Sequence, residues 1–98
     1  MTGPVYKRSV ALMEADIGNE LVALDPEGGN CFGFNEVATS VWRSLSSPKT
    51  FDQLRDELMR EYDVSPQQCA AELRDLLEDL RTRGLIEADA RGPMNPGA

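Results

Sequence analysis

The segment that most constrains this chain runs from Leu24 to Ala38, LDPEGGNCFGFNEVA. Asp25-Pro26-Glu27-Gly28-Gly29 is turn chemistry: Pro26 pre-sets its own φ and the paired glycines accept positive φ. Cys31 to Phe34 suits a short strand, and Asn35 suits an N-cap, its side-chain oxygen placed to accept an orphan helix N–H. Fifteen residues thus hold a strand end, a tight turn, a strand and a helix start. A strand held beside a helix leaves an edge to which an extended peptide can add.

Around this segment the pattern divides into two halves. Ser9–Glu14 and Glu20–Leu24 read as strands separated by the turn signal Asp16-Ile17-Gly18-Asn19. With Cys31–Phe34 they predict a three-stranded antiparallel meander. After Asn35 the apolar period changes from 2 to 3.6, with Val37, Val41, Trp42 and Leu45 marking a first helix over 36–45. Thr50 and Gln53 form a capping-box pattern ahead of a helix striped by Phe51, Leu54, Leu58 and Tyr62. Ser65 and Gln68 repeat that pattern, with Pro66 at the first helical position. The third helix, over 66–83, carries Cys69, Leu73, Leu76, Leu77 and Leu80 and stops at Gly84. Leu85-Ile86 is expected to fold back onto the core. The fold class is therefore α+β, a three-stranded antiparallel sheet followed by three α-helices, with a winged helix-turn-helix-like shape. The expected organisation is a loose arm over 1–8, one domain over 9–88 and a disordered tail over 89–98, rich in Pro, Gly and Ala.

Composition narrows the chemistry. The 98 residues contain no histidine, which removes the commonest general base and metal ligand, and every Ser-His or Cys-His pair. Cys31 and Cys69 fit no metal-ligand spacing and read as reduced small hydrophobes. No catalytic, metal or cofactor site is expected. A net charge of −7, with bases interleaved among acids, argues against nucleic acid and anionic membrane surfaces as partners. No apolar run approaches the roughly 18 residues of a membrane span, and the N-terminus lacks a signal-peptide core, so a cytoplasmic protein is expected.

The ordered set of Leu24-Asp25, the Gly-Gly turn, Cys31-Phe32-Gly33-Phe34, Asn35-Glu36-Val37-Ala38, Val41-Trp42, Tyr62-Asp63-Val64 and Leu73 to Ile86 resembles the PqqD-like family. These are the precursor-peptide recognition elements of ribosomal peptide modification. The resemblance covers about Ser9 to Glu87 and is greatest to the stand-alone recognition proteins of lasso-peptide pathways. It implies a non-catalytic protein that takes the leader segment of a precursor peptide as an added strand and hands it to a leader peptidase or other modifying enzyme. Carried onto this chain, the strand positions are Cys31, Phe32, Gly33 and Phe34, with the third helix lying against the peptide.

On that helix Ala70, Arg74, Leu77 and Arg81 share one face by spacing and are the expected second wall. Arg74 or Arg81 would meet an acidic leader residue; the alternative is surface pairing with Asp75, Glu78 or Asp79. At least one of Phe32 and Phe34, and also Trp42, suits core packing. Glu72, Asp75 and Asp79 read as a solvated face. Two alternatives stand beside the main reading: a PqqD-type chaperone that serves a radical SAM enzyme, and a winged-helix DNA-binding regulator, which the charge disfavours. An exposed strand edge also invites pairing with a second copy as a homodimer.

Overall fold

The computed structural model describes residues 3–89. Strands β1 (Val5–Arg8), β2 (Met13–Ile17), β3 (Glu20–Leu24) and β4 (Cys31–Phe34) precede α1 (Glu36–Ser44), β5 (Lys49–Thr50), α2 (Phe51–Glu61), α3 (Pro66–Thr82) and β6 (Ile86–Asp89). The α+β class and the antiparallel order β2-β3-β4 agree with expectation. Gly18 takes φ +67° at the first of two turn residues between β2 and β3, as a type II′ hairpin requires. This turn pairs Ile17 with Glu20 and sets the register of every later pair along the two strands.

A second sheet was not anticipated. Val5–Arg8, expected within a loose arm, is a central strand, ordered β5-β1-β6. It pairs Val5 with Asp89 and Arg8 with Ile86, so the two ends of the described residues close against one another. Asp89, expected to begin the tail, is thus the last residue of β6; residues 90–98 lie outside the described residues. The strand expected over Ser9–Glu14 forms later, over Met13–Ile17. Ser9 instead bonds to the end of α3, its N–H to Leu85 O at 2.9 Å and its hydroxyl to Gly84 O at 2.6 Å.

The helix starts follow their caps. Asn35 Oδ1 accepts from Ala38 N at 2.8 Å, and Thr50 and Gln53 complete a reciprocal capping box. At Ser65 only half of the expected box forms. Ser65 Oγ accepts from Gln68 N, while the Gln68 amide donates to Glu72. Gly84, at φ +79°, ends α3 in a Schellman motif, with Leu85 N–H donating to Leu80 O and Gly84 N–H to Arg81 O.

Trp42 sits at the centre, fully buried. Its indole N–H donates to Glu14 of β2 at 2.8 Å, and the Arg8 guanidinium of β1 lies 4.3 Å from the ring centroid. Arg8 also donates twice to the Trp42 carbonyl, at 2.6 and 3.2 Å. One residue therefore ties both sheets to α1. Phe34 packs on the indole at 5.7 Å between centroids, and Leu21, Leu54, Leu73, Leu77 and Leu80 fill the remaining space.

Candidate peptide-binding site

Strand β4 is an edge. Among the described residues β3 is its only sheet neighbour. Asp25 N donates to Asn30 O at 2.8 Å, and from there the antiparallel ladder alternates. Phe32 and Phe34 turn their backbone groups toward β3, while Cys31 and Gly33 turn theirs to the open side. At the far end the buried Thr39 hydroxyl bridges the ladder, accepting from Leu21 N at 3.1 Å and donating to Phe34 O at 3.3 Å. Helix α1 thereby holds the end of β4 without occupying its open edge.

Side chains alternate as expected. Phe34 is buried and Phe32 is partly buried against the core, while Cys31 is exposed. At Gly33 an added Cβ would meet nothing within 4 Å, so open space stands over that position. Facing the edge is a groove of about 130 Å³, lined by Gly33, Phe34, Asn35 and Ala38 on one side and Leu76, Asp79, Leu80 and Arg83 of α3 on the other. Its polar feature is the Arg83–Asp79 pair, N–H to carboxylate at 3.1 and 3.2 Å. Asp79, expected on a solvated face, is thus a groove residue.

The residues of the expected α3 wall do not line this groove. Leu77 is 2 % exposed and belongs to the core. Arg74 lies 5.5 Å over the Phe51 ring, and Arg81 is held by Glu78 at 2.8 and 2.9 Å. Neither they nor the half-buried Ala70 line the groove. At about 100° per residue the expected face lies roughly 130° around α3 from Leu76. Both faces flank the same buried stripe, and spacing alone does not say which flank meets β4. Leu76, on the flank that meets β4, is left only partly buried in the folded chain.

A second hollow, of about 80 Å³, continues along the same face of α3 toward its N-terminus. It is lined by Val37, Leu58, Tyr62, Val64, Cys69, Glu72 and Leu73. Burial pushes the Cys69 thiol up in pKa, an effect that Glu72 reinforces and Arg55 opposes. Cys69 is therefore an uncharged wall atom at neutral pH. Among the described residues no group of His, Cys, Asp and Glu is placed to hold a metal ion, and no helix is long and apolar enough to cross a membrane.

The comparisons with known proteins bear on this geometry. The family model for coenzyme PQQ synthesis protein D (PqqD) matches residues 20–86, from the start of β3 to the start of β6. The chain belongs to the PqqD family. No curated protein matches it. Among solved structures, TbiB1 in complex with the TbiA(beta) leader peptide is 32% identical, with a TM-score of 0.73 over 83% of this chain and 94% of that one. A lasso peptide synthetase B1 complexed with its leader peptide shares the fold at 18% identity, with a TM-score of 0.68 over 84% of this chain and 96% of that one.

Proposed function

We propose that this PqqD-family protein binds the leader segment of a ribosomally made precursor peptide, of lasso type, by strand addition to β4. The observation that carries the reading is the open β4 edge with a groove beside it that α3 lines with Leu76, Asp79, Leu80 and Arg83, in a chain similar to TbiB1 over most of its length. The Cys31 and Gly33 backbone groups provide affinity with little sequence demand. Leu76, partly buried at the groove, selects an apolar leader side chain over the buried Leu80, and Arg83 receives an acidic one. From Cys69 to Arg83 the α3 face spans about 21 Å. Roughly six residues of extended peptide cover that length and reach both hollows.

The protein is non-catalytic in this reading and presents its peptide to a separate processing enzyme, a leader peptidase. The expected winged helix-turn-helix shape, which no comparison bears out, does not carry a DNA-binding role. Sheet β2-β3-β4, which would act as the wing, holds acids and no Lys or Arg.

Fluorescence polarisation of a labelled leader peptide, from the small open reading frame beside this gene, tests the proposal. Saturable binding in the nanomolar to low micromolar range is expected, lost on leader truncation. Gly33→Pro, which removes an edge N–H, should weaken it at least tenfold with the fold intact. Leu76→Asp should do the same, and Arg74→Ala should leave affinity within twofold. Equal loss at Arg74 and Leu76 would reject the groove as drawn.

A further inference from the structure

Gly33 lies within the open edge strand, opposite Val22 of β3, and shares with Cys31 the face of the sheet turned away from the core. Its φ is not positive, unlike those of Gly18, Gly29 and Gly84, so the backbone there does not require glycine. What the missing side chain leaves is space, since a Cβ at Gly33 would meet nothing within 4 Å. A glycine inside a strand marks a place where another chain comes close. The space belongs to a hollow of about 360 Å³, bounded by Ile17, Glu20, Val22, Gly33 and Asn35. Register explains its form. Ile17 pairs with Glu20 in one row of the sheet, and Val22 with Gly33 in the next. Ile17, 64 % exposed, and the half-buried Val22 supply apolar surface. Glu20 supplies a carboxylate that has no hydrogen-bond or ion-pair partner among the described residues.

Two observations say what fills the hollow. The first is position. An antiparallel strand added to β4 sets one residue opposite Gly33, with its side chain on the same outer face. With no Cβ in the way, that side chain can lie back across Gly33 toward Val22. The second is charge. From Ser9 to Trp42 the chain carries no Lys or Arg. Of the acids in that stretch, Glu14 meets Trp42 and Asp16 meets Arg43, whereas Glu20 is left for a partner at the hollow. A long basic side chain answers both, its apolar stem over Gly33 and Val22 and its cationic head at Glu20. The residue opposite Gly33 lies two strands across and two residues along from Glu20, about 12 Å between Cα atoms. An Arg or Lys and a Glu side chain together span that distance.

The other face of the same peptide strand meets the α3 groove, with Leu76 and the Arg83–Asp79 pair. A one-residue slip would exchange the two faces. Backbone bonds alone permit such a slip, and unlike preferences on the two faces oppose it. We infer that the hollow over Gly33 is a second specificity site for the leader peptide, that it takes a long basic side chain whose head meets Glu20, and that it fixes the register of the added strand. The inference rests on strand addition at β4.

Cys31, exposed and two residues from Gly33 on the same face, reports the register. Leader peptides with a single cysteine at successive positions are incubated with the full chain in an oxidising buffer. Hydrogen-bonded antiparallel partners lie about 5.5 Å apart at Cα, within reach of a disulfide. Cross-linking should peak at one leader position, and the residue two places earlier in the leader then faces Gly33. Polarisation compares labelled leaders with Arg or Glu at that place. The Arg form should bind at least tenfold tighter. Glu20→Lys should bring that ratio within twofold or reverse it, and Glu20→Gln should cut it at least threefold. Gly33→Val, which keeps the edge N–H but fills the space, should weaken the Arg form at least fivefold. A wild-type ratio below twofold, or a ratio unchanged in both Glu20 variants, overturns the inference. So does full affinity of Gly33→Val for the Arg form. A leader that binds but shows no preferred cross-link to Cys31 refutes strand addition at β4 itself, and this inference with it.

Discussion

The two sheets differ in how the chain builds them. Sheet β2-β3-β4 is a meander over residues 13–34, with each strand joined to the next by a short turn. Sheet β5-β1-β6 gathers three short segments from the start, middle and end of the described chain. The local sheet keeps an open edge, the feature on which peptide binding is proposed to depend. The long-range sheet closes the two ends of the domain against α3 and α1. Trp42 joins them, with Arg8 of one sheet over its ring and Glu14 of the other at its indole nitrogen. The difference suggests a division of roles, recognition by the local sheet and closure by the distant one.

The largest expected effect removes the joint. Trp42→Ala should cost about 3–5 kcal/mol, a large share of the stability of a domain this small, and urea denaturation reads it directly. Peptide binding should fail with the fold, since both sheets lose their common support. Arg8→Ala separates the roles more cleanly. It removes charge-assisted bonds to the Trp42 carbonyl and should cost about 1.5–3 kcal/mol. Leader affinity of the folded fraction should stay within twofold, because Arg8 belongs to the closing sheet. A tenfold loss there would end the proposed division.

Thr39→Val acts on the other side of the comparison. It leaves the Leu21 N–H and Phe34 carbonyl without the bridging hydroxyl and should cost about 1–3 kcal/mol. It should also weaken leader binding, because it loosens the end of β4. Hydrogen exchange should show the β3–β4 amides losing protection before those of β1 and β6.

The smallest effect concerns the cysteines. Exposed Cys31 should react quickly with a thiol reagent at pH 8 and buried Cys69 only slowly, as separate phases of a colour-forming thiol assay. The raised Cys69 pKa means the folded state holds its proton more tightly than the unfolded chain. Stability from this source is full below the unfolded thiol pKa and falls as pH rises through the folded one. Cys69→Ala should remove that alkaline decline, which thermal melts from pH 8 to 10.5 would record.

The local sheet was largely legible, and the closing sheet was not. Gly18-Asn19 and Pro26 to Gly29 announce their turns by the backbone angles they permit, and Asn35, Thr50 and Pro66 announce helix starts by the donors they satisfy or lack. Val5–Arg8 carries no such punctuation. Its partners lie in β5 and β6, and only the folded chain brings them near. The candidate site divides in the same way. The strand Cys31–Phe34 and its faces were legible because strand alternation assigns faces two residues at a time. The groove beside β4 is lined by Leu76, Asp79, Leu80 and Arg83, not by the expected Ala70, Arg74, Leu77 and Arg81.

The sequence by itself determined the class of the fold, the three helices, the central meander and its short last strand. Each of these depends on interactions within a few residues, where periodicity and capping are decisive. Tertiary structure alone decided which flank of α3 looks at β4, that Glu14 meets the Trp42 indole, and that the two ends of the domain pair. Those outcomes depend on the rotation and register of whole elements. Packing around Trp42 sets them, and no short window of residues carries that information.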